Sequence, residues 1–168
     1  NLMEYLDKKN AFSTVSAHCD IPCKIYDPSA AQIAVLTIIR MNDLLIELES
    51  VQKEGDISLG SLAEFQRLIA QKEEHGIKVK QEITTIWGDY IKAPQLAAFP
   101  ELHDLTHSIM LLSSKAKQTI DKDVSLTLLE KVNRFAEIFW ESKGVATYSA
   151  TSPYPPQQIV IYPDLKGS

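Results

Sequence analysis

Four stretches of this chain repeat apolar residues at intervals of three and four positions, the spacing of one face of an α-helix. They cover about residues 29–53, 61–91, 100–116 and 123–142, and glycine or proline lies in the first two connections. The pattern predicts an all-α protein, an antiparallel four-helix bundle whose apolar stripes form the core. The predicted core residues are Ile33, Leu36, Leu44, Leu45, Leu48, Val51, Leu62, Phe65, Ile69, Ile83, Ile86, Trp87, Leu102, Leu105, Ile109, Leu112, Ala116, Leu128, Val132, Phe135 and Phe139.

Length and charge exclude several classes of protein. The 168 residues carry 17 Lys and Arg against 22 Asp and Glu, a net charge of −5. A nucleic-acid-binding protein needs a basic surface, so we expect no nucleic-acid partner. No window approaches 18 consecutive apolar residues, so we expect no membrane span. A chain of this length is expected to form one domain with a sizeable core.

The two ends of the chain differ from the helical part. Residues 1–17 end in Val-Ser-Ala, which fits a small-x-small cleavage site, but the stretch has no apolar centre. Secretory export is therefore the weaker interpretation, and a short amphipathic first helix is the alternative. Residues 144–168 lose the helical period and contain four prolines. This tail is predicted to hold one short strand at 158–162, or to be an arm that contacts a neighbouring subunit.

The chemically distinctive stretch is 18–28, His-Cys-Asp-Ile-Pro-Cys-Lys-Ile-Tyr-Asp-Pro. The imidazole of His18 and the thiols of Cys19 and Cys23 fall within six residues, and two prolines keep the stretch from forming a helix. Thiolates are soft ligands, and a compact hook that lays sulfur and main-chain nitrogen in one plane favours Ni(II) or Cu(II). On these residues alone, a Cys19–Cys23 disulfide or two unreactive thiols remain alternatives.

The same stretch resembles the N-terminal hook of the nickel superoxide dismutases, whose pattern His-Cys-Asp-x-Pro-Cys-x-x-Tyr-Asp-Pro it matches at every fixed position. Three further segments resemble that family: 87–92 (Trp-Gly-Asp-Tyr-Ile-Lys), 100–103 (Pro-Glu-Leu-His) and 139–143 (Phe-Trp-Glu-Ser-Lys). The resemblance runs in order over about 18–143. It implies a four-helix bundle with an N-terminal metal-binding hook, which disproportionates superoxide to dioxygen and hydrogen peroxide at a Ni(II)/Ni(III) centre.

The resemblance also implies how nickel is bound. Members of the family are made with an N-terminal extension that a dedicated peptidase removes, so residues 1–17 are expected to be a leader that is cut after Ala17. Nickel would then be bound by the amine of His18, the amide nitrogen and thiolate of Cys19, and the thiolate of Cys23. The imidazole of His18 would be the axial ligand in the oxidised state.

Five further residues are candidates for the site. By the resemblance, Tyr26 and Tyr90 would line the entrance for superoxide, and the backbone N–H of Asp20 would face the metal. Lys92 is a candidate, together with Lys24, for attracting an anionic substrate to a protein of net negative charge. Ordinary surface lysines are the alternative for both.

Two positions depart from the best-known members of the family. Ala34 stands where those members have a glutamate that holds the axial imidazole, and His75 stands where they have a supporting arginine. Because such partners orient metal-bound histidines, we expect His75 or a bound water to hold His18. A solvated or core histidine is the alternative for His75. The pair His103 and His107 resembles a zinc-protease helix motif but has no evident third ligand, so we expect no zinc there.

The resemblance implies a domain from 18 to 143 between the leader and the tail. Its implied partners are superoxide, further copies of the chain in a homohexamer, and the leader-removing peptidase. The weak export signal and the need for reduced thiols favour a cytoplasmic location. Two alternatives to a dismutase remain. One is a metal-free precursor or nickel-binding helical protein without dismutase activity, and the other is a helical interaction protein whose thiols form a disulfide.

Overall fold

The computed structural model describes residues 24–51 and 58–167. The predicted all-α bundle is confirmed, and the four long helices lie where the apolar period places them. A short helix after residue 92 and the strand β1 were not predicted. The elements are α1 (Ser29–Val51), α2 (Leu59–Thr85), a π-helix that continues α2 (Ile86–Tyr90), α3 (Ala93–Ala98), α4 (Leu102–Gln118), α5 (Lys122–Glu141), β1 (Thr147–Thr151), β2 (Ile159–Pro163) and a 3-10 turn (Leu165–Gly167).

The core lies where α1 packs against α2 and α5, and where α4 packs against the same two helices. One face of α5 is filled by Leu128, Val132, Phe135 and Phe139, all of them buried as predicted. Burying an apolar side chain of this size is worth about 1.5–3 kcal/mol. The helix begins at Asp121, whose carboxylate accepts two backbone N–H groups of the first turn. Apolar contact and a capped start therefore fix α5 in the bundle.

Some residues predicted for the core are exposed. Every buried residue of α2 lies at or after Lys72, in the second half of the helix. The end of α4 reaches α2 at this level, so the first three turns of α2 have no α4 beside them. Helical periodicity identifies the apolar face of a helix but not the length of its neighbour. The exposed residues are Ile33, Val51, Leu62, Phe65 and Trp87.

One helix in the described part of the chain, α1, is long and apolar enough to cross a membrane by length and composition alone, with a mean hydropathy of 1.4. Half of that apolar window is buried inside the protein, where Val35, Ile38 and Ile39 join the core. Packing within the bundle therefore accounts for its composition. The expectation of no span was based on unbroken apolar runs, which the polar residues of α1 interrupt.

After α5 the chain forms a hairpin. The strands β1 and β2 pair antiparallel, with Tyr148 opposite Tyr162 and Ala150 opposite Val160. Val160 is buried and joins the core, and the hairpin packs on α5 and, through Gln32, on α1. The strand predicted at 158–162 is β2, and its partner strand lies in the same tail.

Lys72 is a charged side chain that is almost fully buried, at 1% exposure. Its ammonium donates a hydrogen bond to the carbonyl of Thr119 at the C-terminus of α4, where the helix carries partial negative charge. One turn further along α2, Gly76 leaves room for Lys117, whose Cγ would lie 2.3 Å from a Cβ built on that glycine. These two contacts set where α4 ends against α2.

Replacing Lys72 with methionine is expected to change how stability depends on pH. Burial lowers the pKa of Lys72 from its ordinary value of 10.5, and the nearby Glu73 opposes this in part. The folded protein therefore binds this proton less tightly than the unfolded chain does. Between the lowered pKa and 10.5, the stability contributed by Lys72 rises with pH. The free energy of unfolding, measured with urea from about pH 7 to 10, should rise more for the native protein than for Lys72→Met.

The matched control is Lys78→Met, which removes an exposed lysine from the same helix. A difference between the native protein and Lys72→Met that stays constant or shrinks with rising pH would contradict the burial argument.

Candidate metal centre

The predicted ligands His18, Cys19 and Cys23, together with Asp20, lie outside the described residues. What the structure describes is the protein around the point where the hook joins the bundle, beginning at Lys24. Across 24–51 and 58–167, no group of three or more His, Cys, Asp or Glu side chains could hold a metal ion. The prediction that places the metal on the hook therefore has no competing site in this part of the chain.

The hook joins α1 through a short, well-defined connection. Lys24 is exposed and has a φ of 58°, in the left-handed region. Asp27 starts the helix, because its carboxylate accepts the backbone N–H of Ser29 at 2.8 Å. Pro28 is buried and its carbonyl accepts the N–H of Gln32. Tyr26 is thereby placed next to the N-terminus of α1.

Tyr26 and Tyr90, both predicted for the site, lie in contact. Their ring centroids are 5.9 Å apart and the rings are tilted by 47°. On its other side Tyr90 packs against Phe139 of α5, at 4.9 Å between centroids. The ammonium of Lys143 lies 4.7 Å from the centre of the Tyr90 ring, a cation–π distance. Three separate parts of the chain thus meet at Tyr90.

The hydroxyl of Tyr90 has a defined hydrogen-bond direction. It lies 2.8 Å from Oγ of Ser142, and that Oγ lies 2.7 Å from the carbonyl oxygen of Phe139. A serine hydroxyl has one hydrogen, and the carbonyl can only accept, so Ser142 donates to Phe139. Tyr90 must then donate to Ser142. The lone pairs of the phenol oxygen can still accept a hydrogen bond from water.

The π-helix Ile86–Tyr90 is what turns Tyr90 toward this cluster. The N–H of Ile91 donates to the carbonyl of Ile86 at 3.1 Å, a bond that spans five residues instead of four. One extra residue in a turn rotates the residues that follow by about 100° relative to a regular α-helix. Lys92 ends the segment, and its ammonium donates to the carbonyl of Gly88 at 2.9 Å.

The two positions that depart from the family pattern have different surroundings. Ala34 is buried in the core of the bundle. His75 is half-buried on α2, and its Nδ1 lies 2.8 Å from the carbonyl oxygen of Gln71. It precedes Tyr90 by 15 residues, which is roughly 22 Å along a helix axis. His75 therefore does not lie beside the tyrosine pair of its own chain, and its role toward His18 stays a prediction.

His103 has a partner that is not a metal. The indole N–H of Trp87 donates to its Nδ1 at 3.2 Å, and the two rings meet edge to face. This bond ties the π-helix to the first turn of α4. The absence of zinc at His103 and His107 stays a prediction.

Ser142 and Lys143 were missed as site residues. The segment 139–143 was noticed only as a match to the family pattern, and Phe139 only as a core position. Both residues follow the end of α5, where helical periodicity carries no information. The available signal for a site was a serine and a lysine directly after the aromatic pair Phe139 and Trp140. Their partner is Tyr90, which lies 52 residues from Ser142 in sequence.

Known proteins resemble this chain in sequence. The sequence model of the nickel-containing superoxide dismutases matches residues 13–143. The chain is similar to a protein named superoxide dismutase [Ni] from Streptomyces coelicolor, with 34% identity over 132 residues, 77% of this chain and 91% of the relative. It is 33% identical over 131 residues to the protein of the same name from Streptomyces seoulensis, covering 77% and 90%.

Solved structures resemble the fold as well. A nickel-containing superoxide dismutase with the nickel ligation of the oxidised state superposes with a TM-score of 0.65 and 28% identity, covering 76% of this chain and 99% of that one. A native nickel superoxide dismutase gives a TM-score of 0.63 over 75% and 99%. From the match over 13–143 and from two relatives above 30% identity, the chain belongs to the nickel-containing superoxide dismutase family.

Proposed function

We propose that this chain disproportionates superoxide to dioxygen and hydrogen peroxide with a nickel ion bound by His18, Cys19 and Cys23. The observation that carries the proposal is the contact between Tyr26 and Tyr90. Tyr26 follows Cys23 by three residues, which limits the separation of their Cα atoms to about 11 Å. The tyrosine cluster therefore lies beside the attachment point of the sulfur ligands.

The donor set fits nickel. One imidazole, one amine and two thiolates are nitrogen and sulfur ligands, which suit a square-planar divalent ion better than oxygen-binding cations. When bound, nickel supplies the one-electron redox couple through which superoxide is alternately oxidised and reduced. By the family resemblance, the backbone N–H of Asp20 would face the bound nickel.

The described residues would bind, orient and screen the substrate. The packed rings of Tyr26 and Tyr90 exclude larger molecules by size, and the phenol oxygen of Tyr90 can accept a hydrogen bond from water. Lys143 brings a positive charge to the Tyr90 ring, and the ammonium of Lys92 is held at Gly88 at the end of the π-helix. Positive charges close to the site raise the local concentration of an anion such as superoxide.

The remaining parts of the proposal concern processing and assembly. Residues 1–17 would be removed by a peptidase, the chains would assemble as a homohexamer, and a cytoplasmic location would keep the thiols reduced. The alternative is a precursor that keeps residues 1–17 and holds no redox metal. In that form the nitrogen of His18 belongs to a peptide bond and must lose its proton before it can bind a metal, whereas the lone pair of a free amine is available directly.

Removal of the leader is expected to decide nickel binding. Protein that begins at His18, supplied with nickel under reducing conditions, should bind about one nickel ion per chain, and protein with residues 1–17 should bind little. Intact mass gives the first residue and elemental analysis gives the nickel content. Cys23→Ser in the shortened chain is the control for ligation by sulfur. Absence of nickel from the shortened chain would refute the proposed ligand set.

Breaking the hydrogen bond between Tyr90 and Ser142 is expected to lower turnover. The variants Tyr90→Phe and Ser142→Ala remove the same bond from opposite sides, and one hydrogen bond is worth about 0.5–1.5 kcal/mol, or roughly a 2- to 10-fold change. Each variant should reduce the rate of superoxide removal by that factor with nickel content unchanged. The double variant should be no slower than the worse single variant.

The control for this pair is Tyr148→Phe, which removes a hydroxyl from the hairpin. Strictly additive losses in the double variant would show that the two hydroxyls act independently, contrary to the geometry.

His75→Ala is expected to reduce turnover by about 10-fold, because loss of a residue that orients a metal-bound histidine typically costs about 10- to 100-fold. Circular dichroism and the melting temperature should stay as in the native protein. The matched control is His107→Ala, which removes an exposed histidine from α4. Native turnover in His75→Ala would eliminate His75 as the replacement for the missing partners.

A further inference from the structure

The two edges of the C-terminal hairpin differ. The outer edge of β2 is hydrogen-bonded by amide side chains of the bundle. Asn133 donates to the carbonyl of Ile159 at 2.9 Å and accepts the N–H of Ile161 at 3.3 Å, and Gln32 donates to the carbonyl of Ile161 at 2.9 Å. A buried strand edge needs such partners, and here α5 and α1 supply them.

The outer edge of β1 has no such partners in the described part of the chain. Two backbone hydrogen bonds flank the paired strands: the N–H of Asp164 donates to the carbonyl of Ala146, and the N–H of Ser152 donates to the carbonyl of Gln158. Since bonded pairs alternate in an antiparallel ladder, the N–H and C=O groups of Thr147, Ser149 and Thr151 point away from β2. No hydrogen bond to these groups is formed by any residue of 24–51 or 58–167.

The sequence of β1 does nothing to protect this edge. Exposed edge strands usually carry lysine, proline or a bulge that prevents pairing with another chain. The strand reads Thr-Tyr-Ser-Ala-Thr, with no charge, no proline and no glycine, and Ser149 and Thr151 are exposed. The family match ends at residue 143, before this strand begins. The edge is therefore a feature of this chain outside the matched region.

We propose that β1 pairs antiparallel with β1 of a second copy of this chain, about a two-fold axis at Ser149, to form a four-stranded sheet across two molecules. In this register Ser149 faces its own copy, and Thr147 of one molecule faces Thr151 of the other. Six hydrogen bonds join the outward N–H and C=O groups. The large Tyr148 faces the small Ala150, so no two bulky side chains oppose one another.

The strand that best fits the outer edge of β1 is β1 of a second copy of the chain. A two-fold pairing needs a surface that is complementary to itself, and all five positions of β1 meet this condition. The copies each carry a net charge of −5, so an uncharged strand is a place where they can approach without local repulsion. A strand from a different protein is the other possible occupant, and the mass of the assembly separates the two.

Ser149→Pro tests the pairing without opening the hairpin. Proline has no N–H, and the N–H of Ser149 points away from β2, so the variant keeps the β1–β2 ladder and loses both bonds at the axis. Sedimentation velocity should show an even number of copies for the native protein and a smaller assembly for Ser149→Pro. The matched variant Ser149→Ala keeps the N–H and should assemble as the native protein does. Equal masses for native protein and Ser149→Pro would overturn the proposal, as would a native monomer.

Cross-linking provides a second test that does not depend on proline being tolerated. In a Cys19→Ser, Cys23→Ser background, Ser149→Cys places two thiols across the axis, where Cα atoms of a bonded pair are about 5.5 Å apart, within disulfide range. Mild oxidation should give a covalent dimer. In the same background Thr151→Cys puts the two thiols about 14 Å apart along the strands and should give none. Equal cross-linking of both variants, or of neither, would overturn the proposed register.

Discussion

The packing of Tyr90 between Tyr26 and Phe139 is the interaction on which the site depends. It joins the residue nearest the hook, the end of α2 and the end of α5 in one cluster. The chain of hydrogen bonds from Tyr90 through Ser142 to a helix carbonyl fixes the ring in rotation as well as in place. A hook of a few residues has little core of its own, so its geometry relies on what the bundle presents where the two meet.

The bundle is suited to supporting the hook because its two ends are built differently. At one end, α2 and α5 terminate in aromatic residues that pack against each other and against the start of α1. At the other, α4 stops against the buried Lys72, and the first turns of α2 continue beyond it with apolar residues such as Leu62 and Phe65 exposed. Aromatic packing is therefore concentrated at the end where Tyr26 and Tyr90, the residues proposed for the site, meet.

The sequence predicts the helices and the hook for sound physical reasons. The stripe from Leu128 to Phe139 repeats over about three turns, and only a helix puts all of its residues on one face. The residue types of the hook restrict the metal, and the eleven-residue pattern identified the family. What it could not predict depends on contacts distant in sequence. Ser142 lies 52 residues from its partner Tyr90 in sequence, and the exposure of Phe65 depends on where another helix ends.

The π-helix also limits which changes the site can tolerate. Substitutions within 86–90 alter single side chains, whereas a return to regular α-helical hydrogen bonding with the same number of residues would rotate the ring at position 90 by about 100°, more than a quarter of a revolution. The hydrogen bond from Ile91 to Ile86, which spans five residues, therefore sets the direction of the Tyr90 ring.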